Sequence, residues 1–220
     1  MNLADLFRRH LGRAGSSRRA APAAHMPLER LPLVAIDCET TGLNPRRDRI
    51  VSFAAVPIHA GLRVADEPLI DLLVDPEIPI PARATAVHGI DRPRLAGAAT
   101  FARVYDRIAD GLAGRVVVGH YVGFDLAILA REAARARKRW REPPSLDTAS
   151  LATSLGYHAD TIDLEALLAR LGIEAKGRRH TAAGDARMAA DLFVGLAHRL
   201  AGLGRGTFGG AVAGQRPAGV

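Results

Sequence analysis

The segment LVAIDCETTG at positions 33–42 constrains the fold more than any other part of the sequence. Four apolar residues, LVAI, run directly into Asp37, Cys38 and Glu39. Because side chains alternate between the two faces of a strand, Asp37 and Glu39 point to one side and Cys38 points to the other. Two carboxylates on one face repel each other unless a cation lies between them, and oxygen ligands suit a hard divalent ion. The segment therefore predicts a buried strand with Cys38 as a small core residue, and taken alone it ends either in a metal site or in a solvated strand end.

Two further carboxylates follow predicted buried elements. The segment RVVVGHYVGFD places Asp125 just after an apolar strand, at the start of a predicted helix. The segment RRHTAAGD places His180 five residues before Asp185, around the start of the last predicted helix. Each acid alone could be a helix N-cap or a solvated end. Four carboxylates at the ends of buried elements, with a histidine near the last, indicate one shared site.

Strand and helix patterns alternate between these motifs, which predicts an α/β fold with a mixed β-sheet flanked by α-helices. Pro57 places its strand at an edge of the sheet or close to a strand end, and Asp163 is a predicted helix N-cap. Ligands on such sheets bind at the carboxyl ends of the strands. The predicted strands are 33–37, 49–58, 61–76, 115–120 and 144–148, and the predicted helices are 99–114, 125–140, 148–155, 163–173 and 181–200.

Composition divides the chain into three parts. Residues 1–30 predict a basic leader helix and a linker, partly disordered; residues 31–200 predict the folded domain; and residues 201–220 predict a Gly-rich disordered tail. The formal net charge is +7, and residues 1–30 contain six arginines against two acidic residues. Much of the excess charge therefore lies outside the predicted domain, and it says little about the substrate of that domain.

The sequence predicts neither a membrane partner nor a disulfide framework. No apolar run approaches the roughly 18 residues that a membrane-spanning helix needs. Cys38 is the one cysteine in the chain, which fits a reducing compartment, and we expect the cytoplasm.

The motifs together resemble those of the DEDDh exonucleases, the DnaQ-like group within the ribonuclease H-like fold. The first motif is AIDCETTGL with Asp37 and Glu39, the second is GHYVGFD with Asp125, and the third is HTAAGD with His180 and Asp185. The segments AVHGI and LDTASLA match as well. The resemblance covers about residues 31–200 and implies a ribonuclease H-like mixed sheet. The family includes proofreading subunits of bacterial DNA polymerase III and stand-alone enzymes.

The resemblance implies a metal-dependent 3′–5′ exonuclease that releases nucleoside 5′-monophosphates from single-stranded or frayed 3′ ends. Two divalent ions, Mg²⁺ or Mn²⁺, would be held by Asp37, Glu39, Asp125 and Asp185. His180 would be the general base, since an imidazole can accept a proton near neutral pH.

The resemblance also implies which residues contact the substrate. Thr40, Thr41 and Leu43 would hold the terminal nucleotide, with Leu43 as an apolar wedge against its base. His88 of the AVHGI segment and Phe124 would line the same cleft.

Several residues leave two interpretations open. Many relatives have Asn where this chain has Tyr121, and the tyrosine ring either stacks on a base or packs against the helix that begins near Asp125. Asp147 in the LDT segment is predicted to be structural. The basic residues before His180 either grip phosphate or form a solvated loop: Lys176, Arg178 and Arg179.

The biological role is left open between proofreading, repair and RNA trimming, and between DNA and RNA. A DNA polymerase is a possible partner, although residues 201–220 show no apolar docking segment, which favours stand-alone action. The alternative function is a nucleic-acid-binding module of the same fold that has lost catalysis. The intact set of acids and His180 argue against that alternative.

Overall fold

The computed structural model describes residues 17–18, 20–158 and 162–215. The strands are β1 Ser17–Arg18, β2 Leu33–Thr40, β3 Ile50–His59, β4 Arg63–Val64, β5 Ile70–Asp75, β6 Ala99–Thr100, β7 Val116–Gly119, β8 Arg141–Glu142 and β9 Ser145–Asp147. The α-helices are α1 Ala82–His88, α2 Phe101–Gly111, α3 Gly123–Arg135, α4 Thr148–Ser154, α5 Leu164–Arg170, α6 Ala182–Gly202 and α7 Phe208–Gly214. Two 3-10 turns cover Leu28–Arg30 and Pro93–Leu95.

The main sheet is mixed, as the sequence predicts. Its strands lie in the order β6-β5-β3-β2-β7-β9, and β4 pairs with β3. β3 runs antiparallel to β2 and β5, whereas β2, β7 and β9 are parallel to one another. β1 and β8 form a separate parallel pair. The fold is therefore a ribonuclease H-like mixed sheet flanked by helices.

Strand β2 is buried on both faces because helices cover both sides of the sheet. Leu33 and Ala35 join the apolar cluster that α4, α5, α6 and α7 complete. Val34, Ile36 and Cys38 join the cluster on the opposite face, where α2 and α3 pack. This two-sided burial explains the nearly continuous apolar run at the start of β2. By alternation, Asp37 and Glu39 lie on the face that α6 covers.

Short polar side chains begin several of the helices. Asp147 accepts the backbone N–H of Ser150 at the start of α4. Asp163 accepts the N–H of Ala166 at the start of α5, which confirms that predicted N-cap. Thr181 accepts the N–H of Gly184 at the start of α6. Each cap satisfies a backbone donor that the helix itself leaves unpaired.

The predicted disordered tail is wrong for residues 201–215. Helix α6 continues to Gly202, and α7 buries Phe208 and Ala211 in the core to which α6 also contributes. The segment pairs with the N-terminal part of the chain, since Phe208 donates its N–H to Met26 and Gly209 donates to Ala24. A Gly-rich composition without its partner segment favours disorder, but these small residues allow close packing here. Residues 216–220 lie outside the described residues.

The folded part also begins before residue 31. Leu28 is buried in the same core as α7, and its N–H donates to the carbonyl of Gly206. The predicted linker is therefore structured at its end. The predicted leader helix within residues 1–13 lies outside the residues that the structure describes.

The prediction for Pro57 is confirmed in one of its two alternatives. Pro57 lies near the end of β3, and β3 is an inner strand between β2 and β5 rather than an edge strand. The single strand predicted over 61–76 is two strands, β4 and β5, and a connection containing Pro68 separates them. In the AVHGI segment, residues 86–88 form the end of helix α1, and Gly89 is the C-cap. Across the described residues, no helix combines the length and apolar character needed to cross a membrane.

Candidate active site

Three of the predicted carboxylates meet at the end of β2. Asp37 and Glu39 lie on β2, and Asp185 lies in the first turn of α6. Each can offer an oxygen such that the three atoms lie within 4.8 Å of one another. The N-cap of α6 is Thr181 rather than Asp185, so the carboxylate is not used as a helix cap. The arrangement is a compact set of oxygen ligands.

Asp125 lies beside this cluster and approaches from α3, on the opposite face of the sheet. It is buried and lies in the first turn of α3, whose N-cap is Val122. Burial raises its pKa to about 7, although hydrogen bonds from the side chain and backbone of Cys38 act in the opposite direction. The prediction that Cys38 is a core residue is confirmed. The sequence did not show that its thiol also reaches Asp125.

The carboxylates carry more negative charge than their surroundings stabilise. Burial raises the pKa of Asp37 well above its ordinary value, and the charges of Asp125, Asp185 and Glu39 raise it further. Burial, and then Asp185, raises the pKa of Glu39 to about 7. Burial also raises the pKa of Asp185. A bound divalent cation would relieve both the repulsion and the burial penalty.

Arg179 supplies positive charge inside the cluster. Its Nη1 donates to Asp185 Oδ2 over 2.6 Å, and its Nε lies 3.6 Å from Glu165 Oε2. Its charge lowers the pKa of both Asp37 and Glu39. The interpretation of Arg179 as part of a solvated loop is therefore wrong, whereas Lys176 and Arg178 are exposed.

The other oxygen of Asp185 has no protein partner. Asp185 Oδ1 is buried without a hydrogen bond to any described residue. A buried oxygen of this kind is costly unless it binds something, and the carboxylate of Asp185 has an oxygen within 4.8 Å of oxygens of Asp37 and Glu39. It is therefore suited to hold a metal ion.

His180 lies directly before the N-cap of α6 and is exposed to solvent. Its backbone N–H hydrogen-bonds to the carboxylate of Asp185, and it lies within electrostatic range of His88. Its φ is 56°, a left-handed conformation that is uncommon for residues other than glycine but is more frequent for histidine. This turn places the imidazole beside the carboxylates without burying it.

The turn after β2 presents one exposed apolar residue. Leu43 is 52% exposed, which suits a wedge against a base. The Thr40 hydroxyl donates to the carbonyl of Gly42 over 2.7 Å. Thr41 is 1% exposed, and its hydroxyl donates to Asp48 Oδ1 over 3.2 Å. The Thr41 side chain therefore shapes the turn, and a direct contact of its hydroxyl with substrate is not supported.

His88 and a neighbouring cavity extend the cleft beyond Glu39. His88 Nδ1 accepts the N–H of Ile90 over 3.0 Å, so in the neutral ring the proton lies on Nε2. Burial lowers the pKa of His88. A cavity of about 450 Å³ beside His88 is lined by arginines and by residues of β3 and β5. Ser52 in this lining is the β3 partner of Glu39, so the cavity adjoins the carboxylates. The lining includes Ser52, Leu73, His88, Arg94 and Arg178.

Phe124 and Tyr121 lie near the start of α3. Phe124 is partly buried and packs against the core next to Asp125. The half-buried ring of Tyr121 packs edge-to-face on His120, with a centroid distance of 4.7 Å. Tyr121 has a φ of 58°, and Asn tolerates this left-handed conformation better than most residues. The backbone therefore explains why Asn suits this position, which the sequence pattern did not show.

Asp147 connects two of the elements behind the site. Its Oδ1 accepts the N–H of Ser150, and its Oδ2 accepts the N–H of Val122 over 2.8 Å. Val122 precedes the first residue of α3, so Asp147 fixes the helix start that carries Asp125. These contacts support the structural role predicted for Asp147.

A mixed sheet flanked by helices, with four carboxylates at the end of a central strand and in the first turns of two helices, defines a nuclease of the DEDDh type. The model of the exonuclease family RNase_T matches residues 34–193, and the chain belongs to this family.

Named relatives agree with this assignment, and one solved structure shares the fold. A DNA polymerase III subunit epsilon-like protein of Rhodobacter capsulatus is 42% identical over 201 residues, which cover 90% of this chain and 28% of that protein. The DNA polymerase III subunit epsilon of Aquifex aeolicus is 28% identical over 76% of this chain and 81% of its own length. A structure described as Exonuclease X in complex with 5′ overhanging duplex DNA superposes with a TM-score of 0.63 and 24% identity, over 83% of this chain and 99% of that one. At 24% identity, this last structure shows a shared fold only.

Proposed function

We propose that this chain is a metal-dependent 3′–5′ exonuclease that releases nucleoside 5′-monophosphates from single-stranded or frayed 3′ ends. The observation that carries the proposal is the cluster of Asp37, Glu39 and Asp185 oxygens within 4.8 Å of one another. Asp125 lies next to the cluster, and His180 is exposed at its edge. Buried carboxylates with raised pKa values in a cleft are typical of a functional site.

The donor set fits divalent ions, and we propose two Mg²⁺ or Mn²⁺ ions as cofactors. All the candidate ligands are carboxylate oxygens, and Asp185 Oδ1 is buried without a hydrogen bond to any described residue. Asp37, Glu39, Asp125 and Asp185 would hold the ions. When bound, the ions would make a water more acidic and stabilise the charge that develops on the phosphate oxygens.

The residues of the chain would position the substrate and move a proton. His180 would accept the proton of the attacking water at its imidazole, because the ring is solvent-accessible and adjacent to Asp185. Leu43 would press against the terminal base, and Thr40 would contact the same nucleotide through its backbone. His88 and Phe124 would line the cleft on either side.

We propose DNA as the main substrate, in the cytoplasm, because the relatives named above are DNA polymerase III epsilon or epsilon-like proteins. The chain spans 28% of the length of the Rhodobacter protein, so the activity of that whole protein does not transfer to this chain. Residues 203–215 pack on the chain's own core, which supports stand-alone action over docking of this segment to a polymerase.

The test uses single-stranded DNA and RNA oligonucleotides with Mg²⁺ or Mn²⁺: a 5′ label follows the shortening of the strand, and a label in the 3′-terminal nucleotide follows release of the mononucleotide. We expect a ladder that shortens from the 3′ end, and we expect Asp185→Asn to abolish it. The competing function is a binding module without catalysis. It would be favoured if the oligonucleotides bound but no mononucleotide appeared with either ion on either polymer.

A further inference from the structure

The turn that carries Leu43 is held from outside by one arginine of α3. We call residues 43–49 the wedge loop. Arg135 Nη1 donates to the carbonyl of Asp48 over 3.0 Å, and Nη2 donates to the carbonyl of Arg46 over 2.9 Å. Nη2 also lies 3.5 Å from the carbonyl of Pro45. One guanidinium therefore contacts three carbonyl groups of the wedge loop.

A buried glutamate fixes that arginine in place. Glu132, one turn before Arg135, is 1% exposed. Its Oε1 lies 3.2 Å from Arg135 Nη1 and 2.6 Å from Arg49 Nε. Arg49 also reaches Glu77 on the opposite side, over 3.1 Å. A buried carboxylate shared by two arginines is costly to disrupt, since removing one partner leaves charge unpaired.

The wedge loop depends on these polar contacts for its position. Within the loop, Asp48 Oδ2 accepts the N–H of Asn44 over 2.7 Å. Pro45 is buried, but Arg46 and Arg47 are exposed, and Leu43 is 52% exposed. Besides the buried Pro45, three sets of hydrogen bonds hold the loop: those within the turn, those to Thr41 and those to Arg135 on α3.

We propose that Arg135 is a positioning residue for substrate binding, which acts by fixing the wedge loop so that Leu43 meets the 3′-terminal base. The inference rests on the proposed exonuclease function. Because α3 also carries Asp125, the arginine links the wedge to the helix that supplies a carboxylate of the site. The planar fork of arginine can serve several carbonyls at once, whereas a lysine is a single point charge.

The main test compares kinetics of the wild type with Arg135→Gln on single-stranded oligonucleotides. We expect KM to rise about fivefold or more while kcat stays within about twofold, because a loosened wedge weakens binding without changing the chemistry. The rise in melting temperature caused by Mn²⁺ should be unchanged, since no carboxylate of the cluster is altered. Arg131→Gln is the matched control: it makes the same change of charge one turn earlier on α3, and it should leave KM unchanged.

A double-mutant cycle separates positioning from general destabilisation. Leu43→Ala alone should raise KM, and adding Arg135→Gln should raise it little further, because both changes act through the same contact. The KM of Arg135→Lys should lie between the KM of the wild type and that of Arg135→Gln. If Arg135→Gln does not fold, Arg135→Lys takes its place in the cycle.

Three results would overturn the inference. The first is that Leu43→Ala and Arg135→Gln raise KM independently, so that their effects multiply in the double variant. The others are that Arg131→Gln raises KM as much as Arg135→Gln, or that Arg135→Gln lowers kcat and removes the rise in melting temperature caused by Mn²⁺. If the wild type released no mononucleotide, the proposed function would fail separately. The inference would then be decided by the Kd of a fluorescent single-stranded oligonucleotide, measured for the same variants.

Discussion

Arg179 donates a hydrogen bond to Asp185 over 2.6 Å, so a positive side chain already lies within the carboxylate cluster. The guanidinium brings one charge to a site whose carboxylates all have raised pKa values. It therefore relieves the repulsion only in part. A divalent ion would carry twice the charge and would compete with Arg179 for Asp185.

Replacing Arg179 should separate stability from metal binding. We expect Arg179→Gln to lower the free energy of unfolding by about 1–3 kcal/mol without metal, because the variant loses a hydrogen bond to a charged group. The stabilisation by Mn²⁺ should increase, because the competing cation is gone. Denaturant unfolding with EDTA and with Mn²⁺ measures both effects. Arg178→Gln, at an exposed neighbour, is the control, and equal effects of the two variants would contradict the assignment.

The carboxylates should make the metal-free protein less stable as the pH rises. The pKa of Glu39 is raised by burial from 4.5 to about 7, and that of Asp125 is raised by burial from 3.8 to about 7. The folded state therefore holds protons that the unfolded state has released, and this contribution is lost as the pH rises through 7. Between pH 5 and 8 with EDTA, we expect a loss of about 2–4 kcal/mol.

Metal should remove that pH dependence, because the ions bind the deprotonated carboxylates. Unfolding measured with Mn²⁺ should show a flat or rising stability from pH 5 to 8. Glu39→Gln should make the decline with EDTA shallower. If the free energy of unfolding without metal rose between pH 5 and 8, the raised pKa values described for the carboxylates would be contradicted.

His180 should be required for turnover and dispensable for metal binding. We expect His180→Ala to lower kcat by roughly 10²–10⁴, the usual contribution of a general base. The rise in melting temperature caused by Mn²⁺ should persist, whereas Asp185→Asn should reduce it. Loss of the Mn²⁺ effect in His180→Ala would make the histidine a ligand instead.

Tyr121 offers a test of packing against base stacking. The ring contacts His120 and is half-buried, so we expect Tyr121→Ala to cost about 1–2 kcal/mol of stability with little change in KM. Tyr121→Asn should recover part of that loss, because Asn accepts the left-handed backbone. A KM for single strands raised about tenfold at unchanged melting temperature would favour stacking on a base instead.

The sequence predicts the elements whose signals are local. The alternation in β2 predicted that Asp37 and Glu39 lie on one face, and the structure brings Asp185 to both of them. That placement and the N-cap at Asp163 could be predicted because strand period and helix caps depend on near neighbours in the chain. The roles of the four carboxylates as metal ligands stay predictions.

The contacts that the sequence did not predict join distant segments. The hydrogen bond of Cys38 to Asp125 and the fork of Arg135 on the wedge loop connect segments about 90 residues apart. The order in residues 201–215 was missed for the same reason, because its partners lie around residues 24–28. The composition of a segment does not show which other segments pack against it, and tertiary packing depends on those partners.

The pairing of residues 24–28 with residues 206–209 also bears on how the chain reaches this structure during synthesis. The two segments are separated by almost the whole length of the domain, and contacts between distant segments form slowly. On a ribosome, the carbonyls of Ala24 and Met26 gain their partners, Gly209 and Phe208, only after the end of the domain has emerged. A nascent chain that stalls before Gly206 would therefore lack Phe208 in the core that it shares with Leu28, and chaperones or proteases would meet that incomplete core first.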